Sequence, residues 1–178
     1  MDPKYCAGCA IPIKVLGDTC GLRSDIRARY CPRHKHLQQI QTMKTIYLAG
    51  PIAGCSDAEC RTWREEVAQK WPGAVLNPLR RDYRWEVANG QIDSVLAAMI
   101  VENDKEDIRA AHGVLVYWDR PSVGTSMEII YAHSLRKPIV VIMAEHHIDT
   151  CSPWIWHHAS ELVTTIDQGL TIMRELLK

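Results

Sequence analysis

Apolar and polar positions along most of this chain fall into short blocks that switch between the strand and helix periods. Thr45-Ile46-Tyr47-Leu48-Ala49 is an apolar run closed by Gly50-Pro51, the pattern of a buried strand ending in a turn. Ser56, with Glu59 three residues on, makes a capping box for a helix through Trp71, and Pro72-Gly73 stops it. Ala74 to Asn77 reads as a second strand and Pro78 to Trp85 as a loop. Helical patterning then runs from Glu86 to Ala111, with a break expected near Asn103. Val114 to Trp118 is a third strand, Met127 to Leu135 a helix, and Pro138 to Met143 a fourth strand. A polar stretch containing Ser152-Pro153-Trp154 leads to a fifth strand at Leu162 to Thr164 and a closing helix from Asp167 to Leu177.

Strands alternating with helices imply parallel pairing through right-handed crossovers. The expected fold is therefore α/β: a Rossmann-like, five-stranded parallel sheet flanked by helices, with flavodoxin-like strand order. In that order a ligand sits above the carboxyl ends of strands one and three. This domain should occupy residues 44–178, with 37–43 as a polar linker and 1–36 as a separate module too short to fold on apolar burial alone.

Composition narrows the classes. Apolar residues at 47% suffice for a real core, and a formal net charge of zero gives the whole molecule no electrostatic grip on nucleic acid or an anionic membrane. Residues 1–36 nevertheless carry seven Lys/Arg against three Asp, which permits nucleic-acid contact there; a docking or stabilising role is the simpler account, since no aromatic platform accompanies the charges. No apolar segment approaches the roughly 18 residues of a membrane span. The start of the chain lacks a signal peptide's apolar core, and an odd count of seven cysteines argues against a secreted disulfide framework. A cytoplasmic protein is the expectation.

Cys6-Ala7-Gly8-Cys9 and Cys31-Pro32-Arg33-His34 are two knuckles of matching spacing, able to point four side chains at one ion. A structural zinc site of Cys6, Cys9, Cys31 and His34 follows, with Cys20 the alternative to His34 as fourth ligand. The run Ser122-Val123-Gly124-Thr125-Ser126-Met127-Glu128 carries the chemistry of the main domain. A strand, a loop of Gly and small hydroxyl residues, and a helix aim backbone N–H groups above the sheet edge. A carboxylate in the first helical turn would repel a phosphate, so Glu128 reads as a reacting group and the loop as the holder of a sugar or sugar phosphate.

These residues, together with Thr45 to Ile52, Trp63-Arg64, Asn77-Pro78, Asp104 with Ile108, Ala132 and Lys137-Pro138, resemble the nucleoside 2-deoxyribosyltransferase family and the related deoxynucleoside 5′-monophosphate N-glycosidases. The resemblance covers about three-quarters of the chain and leaves out the cysteine module. It implies that Glu128 attacks the anomeric carbon to give a covalent deoxyribosyl intermediate, that Tyr47 holds the nucleophile, and that Asp104 contacts the departing base. It further implies that Gly50, Pro51, Ile52, Asn77, Gly124, Thr125 and Ser126 line the substrate site. Ser122 stands where the transferases carry a sugar-contacting Asp and the N-glycosidases a phosphate-binding Ser; Asp119 is the substitute for the sugar contact. The substrate is then a deoxynucleoside or its 5′-monophosphate, and the acceptor a second base or water. Neighbouring subunits commonly complete such pockets, so a homo-oligomer is expected.

Other residues carry less. Arg80 and Arg81 are candidates for an anion site or simply solvated, and Asp107 is expected to be a solvated helix charge. Trp85, Trp118, Trp154 and Trp156 offer stacking faces, at least two of them expected in the core. His112 suits a strand edge, while His133, His146, His147, His157 and His158 show no ligand-like spacing. A non-catalytic nucleotide-binding module is the rival class; it requires neither Glu128 nor Asp104.

Overall fold

The computed structural model describes residues 44–178. The expected zinc ligands Cys6, Cys9, Cys31 and His34, the alternative Cys20 and the linker lie outside the described residues. Five strands, β1 (Ile46–Ala49), β2 (Val75–Leu76), β3 (Gly113–Trp118), β4 (Ile139–Met143) and β5 (Glu161–Val163), pair in the order β2-β1-β3-β4-β5. Every pairing is parallel. This is the flavodoxin-like order expected from the sequence, with its switch point between β1 and β3.

Seven α-helices and one 3-10 turn (Pro78–Arg80) accompany the sheet among the described residues: α1 (Asp57–Lys70), α2 (Arg84–Ala88), α3 (Ser94–Ala110), α4 (Val123–Ser134), α5 (Glu145–Ile148), α6 (Pro153–His158) and α7 (Ile166–Leu176). None is long and apolar enough to cross a membrane. The strands are apolar on both faces because helices cover both. Ile46 and Leu48 point toward Trp63, Val67 and Trp71 of the α1 side and Leu170 and Met173 of α7. Tyr47 and Ala49, one residue out of phase, face Ile108 of α3 and Ile129 and Ala132 of α4. That parity puts the Tyr47 side chain on the same side of the sheet as the helix bearing Glu128.

The ends of the elements follow local chemistry. Ser56 and Glu59 form the expected capping box on α1, and Thr165 with Gln168 forms a second on α7. At the amino ends of β1 and β3 the Thr45 N–H donates to His112 Nδ1 at 3.0 Å, so this histidine closes the start of the strand pair. The expected helix Glu86 to Ala111 breaks at a different place. Asn103 lies inside α3, and the interruption falls between α2 and α3, where Gly90 takes a positive φ of 66° and Asp93 caps α3 by accepting from Leu96 N–H. Left-handed backbone at a glycine, with a fresh N-cap three residues on, ends one helix and starts the next.

The helix after β3 starts at Val123, four residues before the expected Met127, because the Ser122 hydroxyl serves as its N-cap. The polar stretch after β4 holds two short helices, α5 and α6. The tryptophans also differ from expectation: Trp85, Trp154 and Trp156 are exposed, and only Trp118 of the four packs partly against the core. Trp63 and Trp71 fill that role instead. The Trp71 indole donates to the Lys44 carbonyl at 2.8 Å, and Gly73 lies so close to that carbonyl that a Cβ would stand 2.0 Å from its oxygen.

Gly73→Ala is therefore expected to destabilise the fold by about 1–3 kcal/mol, the range for forced overpacking, read as a lower denaturant midpoint at unchanged slope.

Candidate active site

A cavity of about 460 Å³ opens above the carboxyl ends of β1 and β3. Its wall comprises the loop after β1 (Gly50, Ile52, Cys55), the turn after β2 (Pro78, Leu79, Arg81), α2 (Arg84, Val87, Ala88), one face of α3 (Ile100, Asn103, Asp104) and the start of α4 (Ser122, Gly124, Thr125, Glu128). Of the residues expected at the site, Gly50, Ile52, Asp104, Ser122, Gly124, Thr125 and Glu128 thus come together. Pro51, Asn77, Asp119 and Ser126 do not line this cavity. The Asn77 side chain accepts from Leu79 N–H and shapes the turn. Asp119 pairs with Arg120 and, with Ser126, borders a second cavity on the α6 side of the β3–α4 loop.

Tyr47 is wholly buried beneath the cavity, and its hydroxyl donates to Glu128 Oε1 at 2.5 Å across 81 residues of sequence. Glu128 sits in the second turn of α4, not the first, since the helix begins at Val123. The cap accounts for the loop's shape: Ser122 Oγ accepts from Thr125 N–H at 3.4 Å and from Thr125 Oγ1 at 3.1 Å. The first-turn amides of Val123 and Gly124 have no partner in the helical ladder. A carboxylate one turn beyond them and a polar ligand at the amides can then coexist.

The electrostatics are finely opposed. Burial raises the Glu128 carboxyl from 4.5 to about 7; the Tyr47 hydrogen bond pulls it down, the Asp104 charge pushes it up and the Arg64 guanidinium pulls it down. Burial likewise raises Asp104 to about 6, helped by the Asp107 charge and opposed by the Tyr47 hydroxyl and by Arg81 and Arg80. Burial first, and then the two carboxyls, hold the Tyr47 phenol well above its ordinary value, so it remains a donor. Two raised carboxyls sharing one phenol make a pair that keeps one proton near neutrality.

Four charged residues outside the expected catalytic set, Arg64, Asp107, Arg80 and Arg81, also shape this field. Arg64 is fully buried behind the site, donating from Nη1 to the Cys60 carbonyl at 2.5 Å and from Nη2 to the Gly50 carbonyl at 2.9 Å, with its guanidinium 4.3 Å over the Trp63 ring. Burial lowers it to about 10, which leaves it cationic at neutral pH. A Cβ on Gly50 would come within 2.8 Å of Trp63, so glycine is required where this loop meets the ring. Asp107, expected to be solvated, is buried and paired with Arg80, while Arg81 Nη1 lies 3.7 Å from its other oxygen. Arg80 is thereby committed to Asp107; Arg81 reaches the cavity wall. The sequence signals were the Trp63-Arg64 pair, the adjacent Arg80 and Arg81, and the spacing of Asp104 and Asp107 on one helical turn.

Comparisons with known proteins bear on the family and the fold. Residues 46–162 match the family model of nucleoside 2-deoxyribosyltransferase. Among solved structures, the chain resembles a 2-deoxyribosyltransferase from the psychrotolerant bacterium Bacillus psychrosaccharolyticus, at 21% identity and a TM-score of 0.57, over 70% of this chain and 88% of that one. It also resembles a conserved protein from Enterococcus faecalis V583, at 17% identity and a TM-score of 0.54, over 75% and 98% of the two chains. At these identities the likeness is one of fold. No curated protein matches the chain.

Holding an ionisable Glu128 in this site costs stability, and the sign is fixed by its raised pKa. The native carboxyl keeps its proton up to about 7 and the unfolded one only to 4.5, so the cost is absent below 4.5, grows as pH rises and is complete above 7. Glu128→Gln retains an acceptor for Tyr47 and should therefore be more stable than the parent at pH 8. At about 1.4 kcal/mol per tenfold the gain is at most about 3 kcal/mol. Denaturation midpoints of the two proteins should converge as the pH is lowered from 8 to 5.

Proposed function

The chain belongs to the nucleoside 2-deoxyribosyltransferase family, and on that premise we propose that it cleaves the N-glycosidic bond of a 2′-deoxynucleoside or its 5′-monophosphate through a covalent deoxyribosyl ester of Glu128, passing the sugar to a second base. The observation that carries this reading is the hydrogen bond from buried Tyr47 to Glu128, with Asp104 raised above its ordinary pKa in the same cavity. A nucleophile must be ionised and a leaving base is best protonated as it departs. A pair that carries one proton near neutrality supplies both, provided that the charge rests on Glu128 and the proton on Asp104. At rest the shared proton sits more on Glu128, raised to about 7, than on Asp104, raised to about 6 and held there by Tyr47, Arg81 and Arg80. The reactive form is therefore the minor one, with Tyr47 and Arg64 favouring charge on Glu128 and Asp107 favouring the proton on Asp104.

The reaction then proceeds in two displacements. Glu128 bonds to the anomeric carbon as the C–N bond breaks, and Asp104 gives its proton to the base nitrogen. In the second half Asp104 takes a proton from the incoming base as that base displaces the ester, which returns the sugar to its original configuration. The amides of Val123 and Gly124 and the Ser122 hydroxyl, with Arg81 on the opposite wall, support a 5′-phosphate as well as a 5′-hydroxyl. The same reading includes a homo-oligomer, supported by the exposed apolar side chains Val123 and Met127 of α4 and Trp154 and Trp156 of α6.

Incubation with a deoxynucleoside and a different free base should yield the new nucleoside; free sugar alone would mean that water is the acceptor. Glu128→Ala should abolish base release, and unchanged release would make the chain a binding module. Ser122→Asp keeps a good helix cap but opposes an anion. It should lower kcat/KM for the 5′-monophosphate on the order of 100-fold while sparing the nucleoside; equal effects on both would place the phosphate elsewhere.

Activity should pass through a maximum between the two carboxyl pKa values, about 6 for Asp104 and about 7 for Glu128. Because Tyr47 lowers both, Tyr47→Phe should move the whole profile to higher pH and reduce the maximum about 10- to 100-fold, the cost of a hydrogen bond to a charged group.

A further inference from the structure

We propose that His133, His157 and His158 bind one divalent late transition-metal ion, zinc foremost, at a surface site that fastens α6 to α4. The three imidazoles come from distant stretches of sequence, His133 from the last turn of α4 and His157 and His158 from the last turn of α6. Each brings one ring nitrogen into a set lying within 4.8 Å of one another. Nitrogens ligating a tetrahedral zinc stand about 3.4 Å apart, given a metal–nitrogen bond of about 2.0–2.1 Å. His133 and His157 are exposed, so rotation of side chains in solvent closes that difference without moving the backbone.

Three further observations point to a cation. His158 Nδ1 lies 2.7 Å from the Trp154 carbonyl, which can only accept; Nδ1 therefore carries the proton and Nε2 keeps its lone pair. His133 Nδ1 faces the His158 carbonyl at 3.4 Å, a longer contact of the same sense. A carbonyl on one ring nitrogen, fixing the other as donor, is the arrangement metal-ligating histidines use. Next, the Trp154 ring lies parallel to the His158 ring, 4° apart in plane with centroids at 5.6 Å, which holds that imidazole in place. Last, the site sits where α4 and α6 both end. The carbonyl ends of helices carry partial negative charge, which favours a cation and disfavours an anion.

The donor set decides the metal. Three neutral imidazoles without carboxylate suit zinc, copper(II) or nickel(II) and are poor for magnesium or calcium, which take oxygen ligands. Three protein ligands leave a position for water. The consequence for the fold is a cross-link between α6, otherwise anchored by buried Ile155, and α4, the helix that carries Glu128. This site is independent of the thiolate set expected at Cys6, Cys9, Cys31 and His34, and of the proposed reaction.

The test uses the untagged full chain. After equilibrium dialysis against micromolar zinc, metal content per chain is measured for the parent, for His133→Ala, for His157→Ala and for a Cys6→Ser/Cys9→Ser variant. The parent should hold one more equivalent than either histidine variant, and the cysteine variant should keep that equivalent. Zinc should raise the thermal midpoint of the parent and of the cysteine variant where magnesium does not. Loss of one imidazole should weaken the site on the order of 100-fold or more, beyond the 10- to 100-fold typical of losing an outer-shell partner. Equal metal content in the parent and both histidine variants would overturn the proposal, as would a zinc-induced rise in midpoint that survives in both of them. Both histidines are exposed, so their replacement leaves the core intact; a midpoint matching the metal-free parent checks this.

Discussion

One hydrogen bond joins the two halves of the chemistry to the sheet: the Tyr47 hydroxyl, rooted in β1, donates to the carboxyl of Glu128, carried on α4. It exists because β1 pairs in parallel with β3 in the register Tyr47 to Val114, so that the helix following β3 crosses over the face from which Tyr47 projects. A slip of one residue in that pairing would turn Tyr47 toward Trp63 and leave the carboxylate without its donor. The contact therefore depends on the whole β1–β3–α4 unit and cannot be assembled locally. Its burial also explains why the phenol stays a donor: ionising it beside two carboxyls in a desolvated pocket is strongly disfavoured.

Around this bond the molecule sets charges against one another. Burial would neutralise both Glu128 and Asp104; a buried guanidinium at Arg64 and the Tyr47 donor act on Glu128, and the Asp107 charge acts on Asp104. Arg64 needs its own support, which two main-chain carbonyls and the Trp63 ring provide. Its Nε finds no partner among the described residues, one of the few buried polar atoms left so. Such an arrangement sacrifices stability for a reactive pair, a common bargain at catalytic sites. The hydrogen bond from the Arg64 guanidinium to the Gly50 carbonyl also ties the loop after β1 to the helix that follows it, so one side chain both tunes the nucleophile and shapes the cavity wall.

Much of the sheet was legible because buried parallel strands leave unbroken apolar runs and because Ser56 and Glu59 announce their helix. The strand order and the meeting of Tyr47, Asp104 and Glu128 at one edge follow from the expected topology and the resemblance together. What escaped was set by contacts distant in sequence. The break falls near Gly90 and not near Asn103 because the backbone responds to one left-handed glycine and the Asp93 cap, which the run of apolar positions does not show. The start of α4 lies ahead of the apolar period that begins at Met127 because the Ser122 hydroxyl caps a first turn of small and polar residues that carries no such period. Asp107 looks like a solvated charge until the turn after β2 folds Arg80 and Arg81 onto it. The three tryptophans left exposed lie on or beside short helices, α2 and α6, too small to bury both faces. The histidine triad had no spacing to reveal it, since its members meet only when α6 packs on α4.

The proposed reaction depends on a bond between the anomeric carbon and the oxygen of one side chain, Glu128. Acid quenching of the protein during turnover with a 2′-deoxynucleoside, followed by digestion and mass spectrometry, reads that bond directly. The expected result is a deoxyribosyl group on the peptide containing Glu128, with an equal amount of base already released. Base release with no sugar on any peptide, or with sugar on a different carboxylate, would contradict it.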